Sequence, residues 1–290
     1  MELPDYITND DISRLVTISL EEDLGGMANA DNDITANLIS ENTQASATLI
    51  TREDMIVCGI PWANETFKQV DPSLTIHWHV QDGDVLAANQ PLLEVSGSAR
   101  SILTAERTVM NFLQTLSSTA TQTHRYASLL SKTATTLLDT RKTIPSLRMP
   151  QKYAVLCGGG KNHRLGLFDA FLIKENHIAA CGSIQLAVTK ARDIAPGKPV
   201  EVEVESIEEL TQALEAKADI VMLDNFPLHQ IQQAVEINQG KCKLEVSGNI
   251  TDEDLQLLSA TGVDYISSGA LTKHVNAIDL SLRLSMGKPQ

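Results

Sequence analysis

Apolar residues recur in this chain at two spacings, and the spacing changes along it. Over residues 10–24, DDISRLVTISLEEDL, the residues Ile12, Leu15, Val16, Ser19 and Leu20 share one helical face, and Gly25-Gly26 follow as a stop. A surface helix therefore opens the fold. Between 45 and 95 the pieces are short and β-rich: ASATLITRE, MIVCGI, LTIHWHV and PLLEVSG, parted by the turn residues of DPS, QDGD and SGS. They predict a small sheet. Residues 101–131 contain neither Gly nor Pro, and Leu103, Val109, Phe112, Leu113, Leu116 and Leu129-Leu130 supply apolar positions. This pattern predicts a long helix that bridges two domains.

After residue 134 one unit repeats, an apolar strand with a polar end followed by a helix. The strands read TTLLDT (135–140), AFLIK (170–174), PVEVEVES (199–206), DIVMLDN (219–225), KLEVSGN (243–249) and VDYISSG (263–269). Such alternation builds a parallel sheet with crossover helices. Six strands fall short of the eight of a complete barrel. The expected fold is α/β, an incomplete six- or seven-stranded β/α barrel behind an N-terminal α+β sandwich domain, with an open doubly wound sheet as the alternative. The predicted domains are 1–115 and 116–275, and a C-terminal helix over 276–290 is expected to join the first.

Composition narrows the function. The 290 residues are 42% hydrophobic and 21% charged, with a formal charge of −14. An acidic chain of pI about 4.9 is a poor non-specific ligand for nucleic acid, whose phosphates need a basic surface. The start, MELPDYITNDD, lacks the basic and apolar regions of a secretory signal, and no segment approaches a membrane-spanning length. A cytoplasmic protein without membrane partners is expected. Cys58, Cys157, Cys181 and Cys242 have no paired close spacing, so buried free thiols are expected rather than a zinc motif or disulfides. Against this acidic background, residues 139–177 carry seven Lys and Arg and only three Asp and Glu. An anion site must be local to them.

In a β/α barrel the loops after the strands build the active site. The six strand ends offer Arg141 and Lys142, then Lys174, then Glu203 and Glu205, then Asp224, then Ser247-Gly248-Asn249, and last Ser268-Gly269. Basic ends come first and acidic ends next, so one side of the mouth should hold anions and the other hydroxyls or a metal. The small residues after the last two strands suit a phosphate. The stretch CGGGKNHR at 157–164 brings His163 and Arg164 to the basic region, and its glycines suit a loop that closes over an anionic ligand. Arg148 and Lys152 lie beyond Pro145 and are expected to dress the next helix. Lys174 alone would also allow a Schiff-base aldolase, although the neighbouring cations serve anions more naturally.

Together these motifs resemble the quinolinate phosphoribosyltransferase family. The resemblance is carried by LEEDLGG and DNDITA, AERTVMNFLQTLS, DTRKTIPSLR, KYAVLCGGGKNHRLGLFDAFLIKENHI, PVEVEVES, ADIVMLDNF, LEVSGNIT and GVDYISSGALTKHV. It implies transfer of 5-phosphoribosyl from phosphoribosyl pyrophosphate to the ring nitrogen of quinolinate, with loss of the 2-carboxylate. The products are nicotinate mononucleotide, pyrophosphate and CO₂, in NAD biosynthesis. It also implies Mg²⁺ and a homodimer with shared active sites. Carried over by motif, Arg141, His163, Arg164 and Lys174 hold quinolinate, with Arg107 of AERT reaching in from the partner, while Lys142 and Lys174 face pyrophosphate. Glu203 and Asp224 meet the ribose hydroxyls and, through water or those hydroxyls, the metal; Ser247, Gly248, Asn249, Ser268, Gly269, Ala270 and His274 bind the 5-phosphate. By alternation alone Glu201, Glu203 and Glu205 are equivalent; the resemblance selects Glu203. This chain departs from the family in Ile144 and in Ser146, where PGLR is usual, in Ser118, where LSG is usual, and in Ser268, where a small apolar residue is common. Ser146 is expected to alter the backbone available after Pro145.

Overall fold

The computed structural model describes residues 1–248 and 250–286. They form two compact units: residues 1–122 with 145–158 and 274 onward, and residues 123–144 with 159–273. The division falls at 122, inside the long helix, rather than at 115, and a returning segment at 145–158 joins the first unit.

In the first unit, α1 (Asn9–Leu24) starts at a capping box between Thr8 and Asp11 and ends at Gly25 in the left-handed conformation. Its buried residues, Ile12, Val16, Leu20 and Leu24, recur every fourth position. The strands are β1 (Gln44–Thr51), β2 (Met55–Ile56), β3 (Thr75–Trp78), β4 (Val85–Leu86) and β5 (Pro91–Ser98), with α2 (Ile60–Val70) between β2 and β3 and α3 (Ala99–Leu130) after β5. Ala45, Ala47 and Leu49 of β1 and Leu93 and Val95 of β5 pack with Phe67 of α2 and Ile102, Val109 and Leu113 of α3. The segment predicted as the strand MIVCGI keeps only two strand residues, because Pro61 near its end opens α2. Helix α4 (Arg148–Cys157) also belongs here. Lys152 on it is fully buried rather than solvated, in a run buried from Pro150 to Val155.

The predicted C-terminal helix is corrected to a strand. Residues Leu280–Met286 pair antiparallel with β1, so the sheet order puts this strand first, then β1, β5 and β3. Its sequence, LSLRLSM, alternates apolar and polar residues with period two, which suits a half-buried strand and no helix.

The second unit holds β6 (Thr136–Leu138), β7 (Phe171–Ile173), β8 (Val200–Val204), β9 (Ile220–Asp224), β10 (Lys243–Ser247) and β11 (Tyr265–Ser267), all parallel in the order β6-β11-β10-β9-β8-β7. The six predicted strands are all present. Helices α5 (Glu175–Cys181), α6 (Ile184–Ile194), α7 (Ile207–Glu215), α8 (Leu228–Asn238), α9 (Asp252–Ser259) and α10 (Ala270–Lys273) connect or follow them, and the last strand, over 280–286, is β12. Chain order runs from β7 to β11 and returns to β6, the order of a ring, but among the described residues β6 and β7 do not pair. The barrel is not closed. On the open side of β6 the segment at Lys161 forms a single parallel bridge with Leu138. Val200, Val202 and Val204 of β8 are buried, so the alternate Glu201 and Glu203 must face the interior of the sheet. No helix among the described residues is long and apolar enough to cross a membrane.

Candidate active site

Strand ends of the second unit surround one cavity of about 650 Å³. Thr140, Arg141 and Lys142 follow β6, Lys174 follows β7, Glu203 lies in β8, Asp224 ends β9, Ser247 and Gly248 follow from β10, and Ser267 ends β11. His163 and Arg164 enter from the segment beside β6, and Leu172 and Met222 give the lining an apolar portion. Of the sequence-predicted residues, nine therefore meet here: Arg141, Lys142, His163, Arg164, Lys174, Glu203, Asp224, Ser247 and Gly248.

The turn after β6 is pinned on two sides. Thr140 Oγ1 accepts the Lys142 N–H at 3.0 Å, and the Thr272 hydroxyl donates to the Lys142 carbonyl at 2.7 Å. Gly269 lies close behind this turn: a Cβ there would stand 2.9 Å from Lys142 Cδ, so the lysine stem would have to shift. Ser268 is buried and donates its N–H to the Leu138 carbonyl at 3.1 Å, while its Oγ accepts the Ala270 N–H at 3.3 Å. The Ser268–Ala270 turn thus carries β11 into α10 and backs the Lys142 side chain.

Like charges converge on one side. Burial, and then the neighbouring Arg141 charge, hold the Arg164 guanidinium below the usual arginine range, against the pull of Glu201, Asp169 and Glu203. The two arginines share one wall of the cavity. Lys174 Nζ pairs with Glu203 Oε2 across the mouth of the cavity. On the acidic side, Asp224 Oδ2 accepts the Asn225 amide at 2.8 Å. The site is bipolar, as the order of strand ends predicts.

Beneath the cations lies a buried acidic layer that the strand-end reading misses. His163 Nε2 is 2.9 Å from Glu201 Oε2 and 3.5 Å from Glu245 Oε2. Glu245 is fully buried, and burial first, then the Glu201 charge, push its carboxyl up to about 8, against the pull of His163. Asp139, also fully buried, accepts the His163 main-chain N–H at 2.8 Å and the Asn162 amide at 2.7 Å. Lys161 donates its N–H to the Leu137 carbonyl at 2.9 Å. The glycine-rich segment therefore ends pinned along β6 by its backbone, instead of closing freely over a ligand. Alternation in VEVEV and LEV is the one available signal for Glu201 and Glu245, because it sets Glu201 between the buried Val200 and Val202 and Glu245 between the buried Leu244 and Val246. Lys273, also missed, lines the cavity from the end of α10.

Other predicted residues fall elsewhere. Arg107 and His274 belong to the first unit. Arg107 lines a smaller cavity of about 180 Å³ with Ser19, Glu22, Asp23 and Asn111 among others, and His274 is exposed. Asn249 lies outside the described residues. His177 has a local task, since its Nδ1 accepts the Lys174 N–H at 3.0 Å at the start of α5. Of the cysteines, all free, Cys58 and Cys157 are buried as expected, while Cys181 and Cys242 are only half-buried.

Two family models match the chain, the quinolinate phosphoribosyl transferase C-terminal domain over residues 119–283 and the corresponding N-terminal domain over residues 33–117. The chain is similar to a solved nicotinate-nucleotide pyrophosphorylase from Francisella tularensis, at 52% identity and a TM-score of 0.93, covering 98% of this chain and 100% of that one. It is 38% identical to a probable nicotinate-nucleotide pyrophosphorylase (carboxylating) of Bacillus subtilis, over 95% of this chain and 94% of the relative. It is 41% identical to the chloroplastic nicotinate-nucleotide pyrophosphorylase (carboxylating) of Oryza sativa subsp. japonica, over 94% of this chain and 78% of the relative.

Proposed function

From membership of the quinolinate phosphoribosyltransferase family, to which this chain belongs, we infer that it transfers 5-phosphoribosyl from phosphoribosyl pyrophosphate to quinolinate with decarboxylation, yielding nicotinate mononucleotide, pyrophosphate and CO₂. The observation that carries this reading is the meeting of Arg141, Arg164 and Lys174 in the same cavity as Glu203 and Asp224.

Quinolinate brings two adjacent carboxylates. At ~4 Å with an effective dielectric of about 20, two such charges repel by roughly 4 kcal/mol. Arg141 and Arg164 offset that repulsion, and their planar forks suit carboxylates better than lysine does. The ring is held with its nitrogen toward the ribose, whose hydroxyls meet Glu203 and Asp224. As the C–O bond to pyrophosphate breaks, positive charge grows on the sugar carbon and negative charge on the leaving group. Lys142 and Lys174 face the leaving group, and Ser247 and Gly248, with the Ser268–Ala270 turn, serve the 5-phosphate. Once the ring nitrogen is alkylated, its positive charge stabilises the electron pair left at the ring carbon when CO₂ departs, and that carbon then takes a proton from water. No decarboxylating cofactor is required.

Glu203 and Asp224 offer only hard oxygen donors and form no closed cage, which fits Mg²⁺ that keeps waters and takes its other ligands from phosphates. The ion would be held by these two residues, directly or through water and ribose hydroxyls, and would supply charge neutralisation for pyrophosphate. Two further parts of the reading concern assembly and place: Arg107 acts across a homodimer on the partner's site, and the protein works in the cytoplasm, in keeping with its four free thiols. The purified protein is expected to form nicotinate mononucleotide from quinolinate, phosphoribosyl pyrophosphate and Mg²⁺. Nicotinate, which lacks one carboxylate and its charge-assisted bonds, is expected to be poorer by at least about tenfold. Equal use of the two acids would contradict the assignment of Arg141 and Arg164.

A further inference from the structure

Three metal-ligating side chains meet on the exposed face of the first unit's sheet, away from every residue that lines the large cavity. Side chains alternate along a strand, so His77 and His79, two residues apart, stand on one face. His77 lies in β3, and His79 continues the pairing by donating its N–H to the Leu92 carbonyl at 2.9 Å. Glu94 of β5 is the register partner of His77. It is therefore directly opposite one histidine and diagonal to the other. All three residues are exposed. The two imidazoles meet edge to face, with centroids 4.8 Å apart and planes at 86°, and His79 Nε2 is 3.3 Å from Glu94 Oε1. Beyond Glu94 the same row runs through Thr48 to Arg283. The nearest cation along it is thus two strands from the carboxylate, roughly 10 Å.

Imidazole nitrogens suit zinc and copper, and a carboxylate is the usual third ligand beside two histidines when the ion keeps water in its remaining positions. Mg²⁺ competes poorly for such a set, because it prefers oxygen ligands throughout. We propose that His77, His79 and Glu94 form a surface site for one divalent transition-metal ion of the zinc and copper class, separate from the Mg²⁺ of the transferase reaction. The site has a structural consequence. β3 is the last strand of its sheet, with β5 as its neighbour. An ion held by both strands crosslinks this edge, the part of a sheet whose backbone is otherwise open to wrong pairing. The proposal stands apart from the quinolinate reading, since none of its residues lines the cavity.

Titration of the full chain with Zn²⁺ in excess Mg²⁺, followed by calorimetry, tests it. A second trio with metal-ligand spacing, His163, Glu201 and Glu245, lies in the second unit, so the surface site is read as the difference between wild type and variants. His77→Ala and His79→Ala each remove one ligand and are expected to weaken one equivalent of Zn²⁺ by at least about tenfold. Glu94→Gln keeps the shape, loses the charge and is expected to weaken the same equivalent. With no zinc added, turnover of all three variants should match wild type. Thermal unfolding gives a second readout: Zn²⁺ should raise the wild-type Tm, because an ion that binds only the folded chain stabilises it, and the rise should shrink in His77→Ala and His79→Ala. Full Zn²⁺ affinity in any of the three variants would overturn the proposal. So would a wild-type site that fails to fill below ~1 mM Zn²⁺, which is adventitious binding to lone surface histidines only.

Discussion

Ser146→Gly should stabilise this protein, and the reason is a single dihedral angle. Ser146 has φ of +65°, in the left-handed region, just before α4. An L-residue pays roughly 1–2 kcal/mol there because its Cβ crowds the following carbonyl. Glycine adopts the angle freely but loses about 0.5–1 kcal/mol more backbone entropy on folding. Ser146 is exposed, and its side chain bonds to none of the described residues, so little else is lost on replacement. The net gain is about 0.5–1 kcal/mol. For chains of 150–250 residues one kcal/mol moves Tm by about 2–4 °C, so a rise of roughly 1–3 °C is expected here. Thermal unfolding by calorimetry, with Ser146→Ala as a control that keeps the strain, measures it. A Ser146→Gly protein no more stable than Ser146→Ala would refute the strain argument. Ser146 thus holds a left-handed backbone after Pro145 and tolerates its cost.

Three further outcomes are expected. Arg141→Lys keeps the charge but loses the fork, so the quinolinate KM should rise about tenfold in steady-state assays; an unchanged KM would remove Arg141 from carboxylate binding. Glu245 binds a proton in the folded state that the unfolded chain releases above its ordinary value of 4.5, so its contribution is complete below 4.5 and is lost as pH rises to about 8. Urea titrations across that window should show Glu245→Gln gaining on wild type as pH rises, by up to about 1.4 kcal/mol per unit, and parallel curves would show that Glu245 is not buried as a neutral acid. Mixed Arg107→Ala and Arg141→Ala subunits should recover roughly a quarter of wild-type activity if sites are shared across a dimer, and no recovery in verified heterodimers would end that assignment.

The parallel sheet was legible because its strands are short apolar runs bounded by turns, and strands such as Val200–Val204 and Ile220–Asp224 fall within the expected segments. The rim was legible for the same reason: a charge at a strand end has few places to go. The floor was not. Asp139, Glu201 and Glu245 are buried acids, and burying a carboxylate is costly enough that an acid in a strand is assigned to the mouth by default. What they meet inside, the His163 main chain against Asp139 and its imidazole beside the two glutamates, comes from a separate segment of the chain. Lys152 escaped for a similar reason, since a lysine at a helix start reads as solvated. The strand over 280–286 was readable in principle, its period of two being visible in LSLRLSM, but a chain terminus after a barrel invites a helix.

The central claim is that this cavity joins ribosyl transfer to decarboxylation, and quinolinate labelled in its 2-carboxylate tests it most directly. With phosphoribosyl pyrophosphate and Mg²⁺, the account predicts labelled CO₂ and nicotinate mononucleotide released in equal amounts, with no label left in the nucleotide. A folded protein that releases no CO₂, or a nucleotide that retains the label, would contradict it.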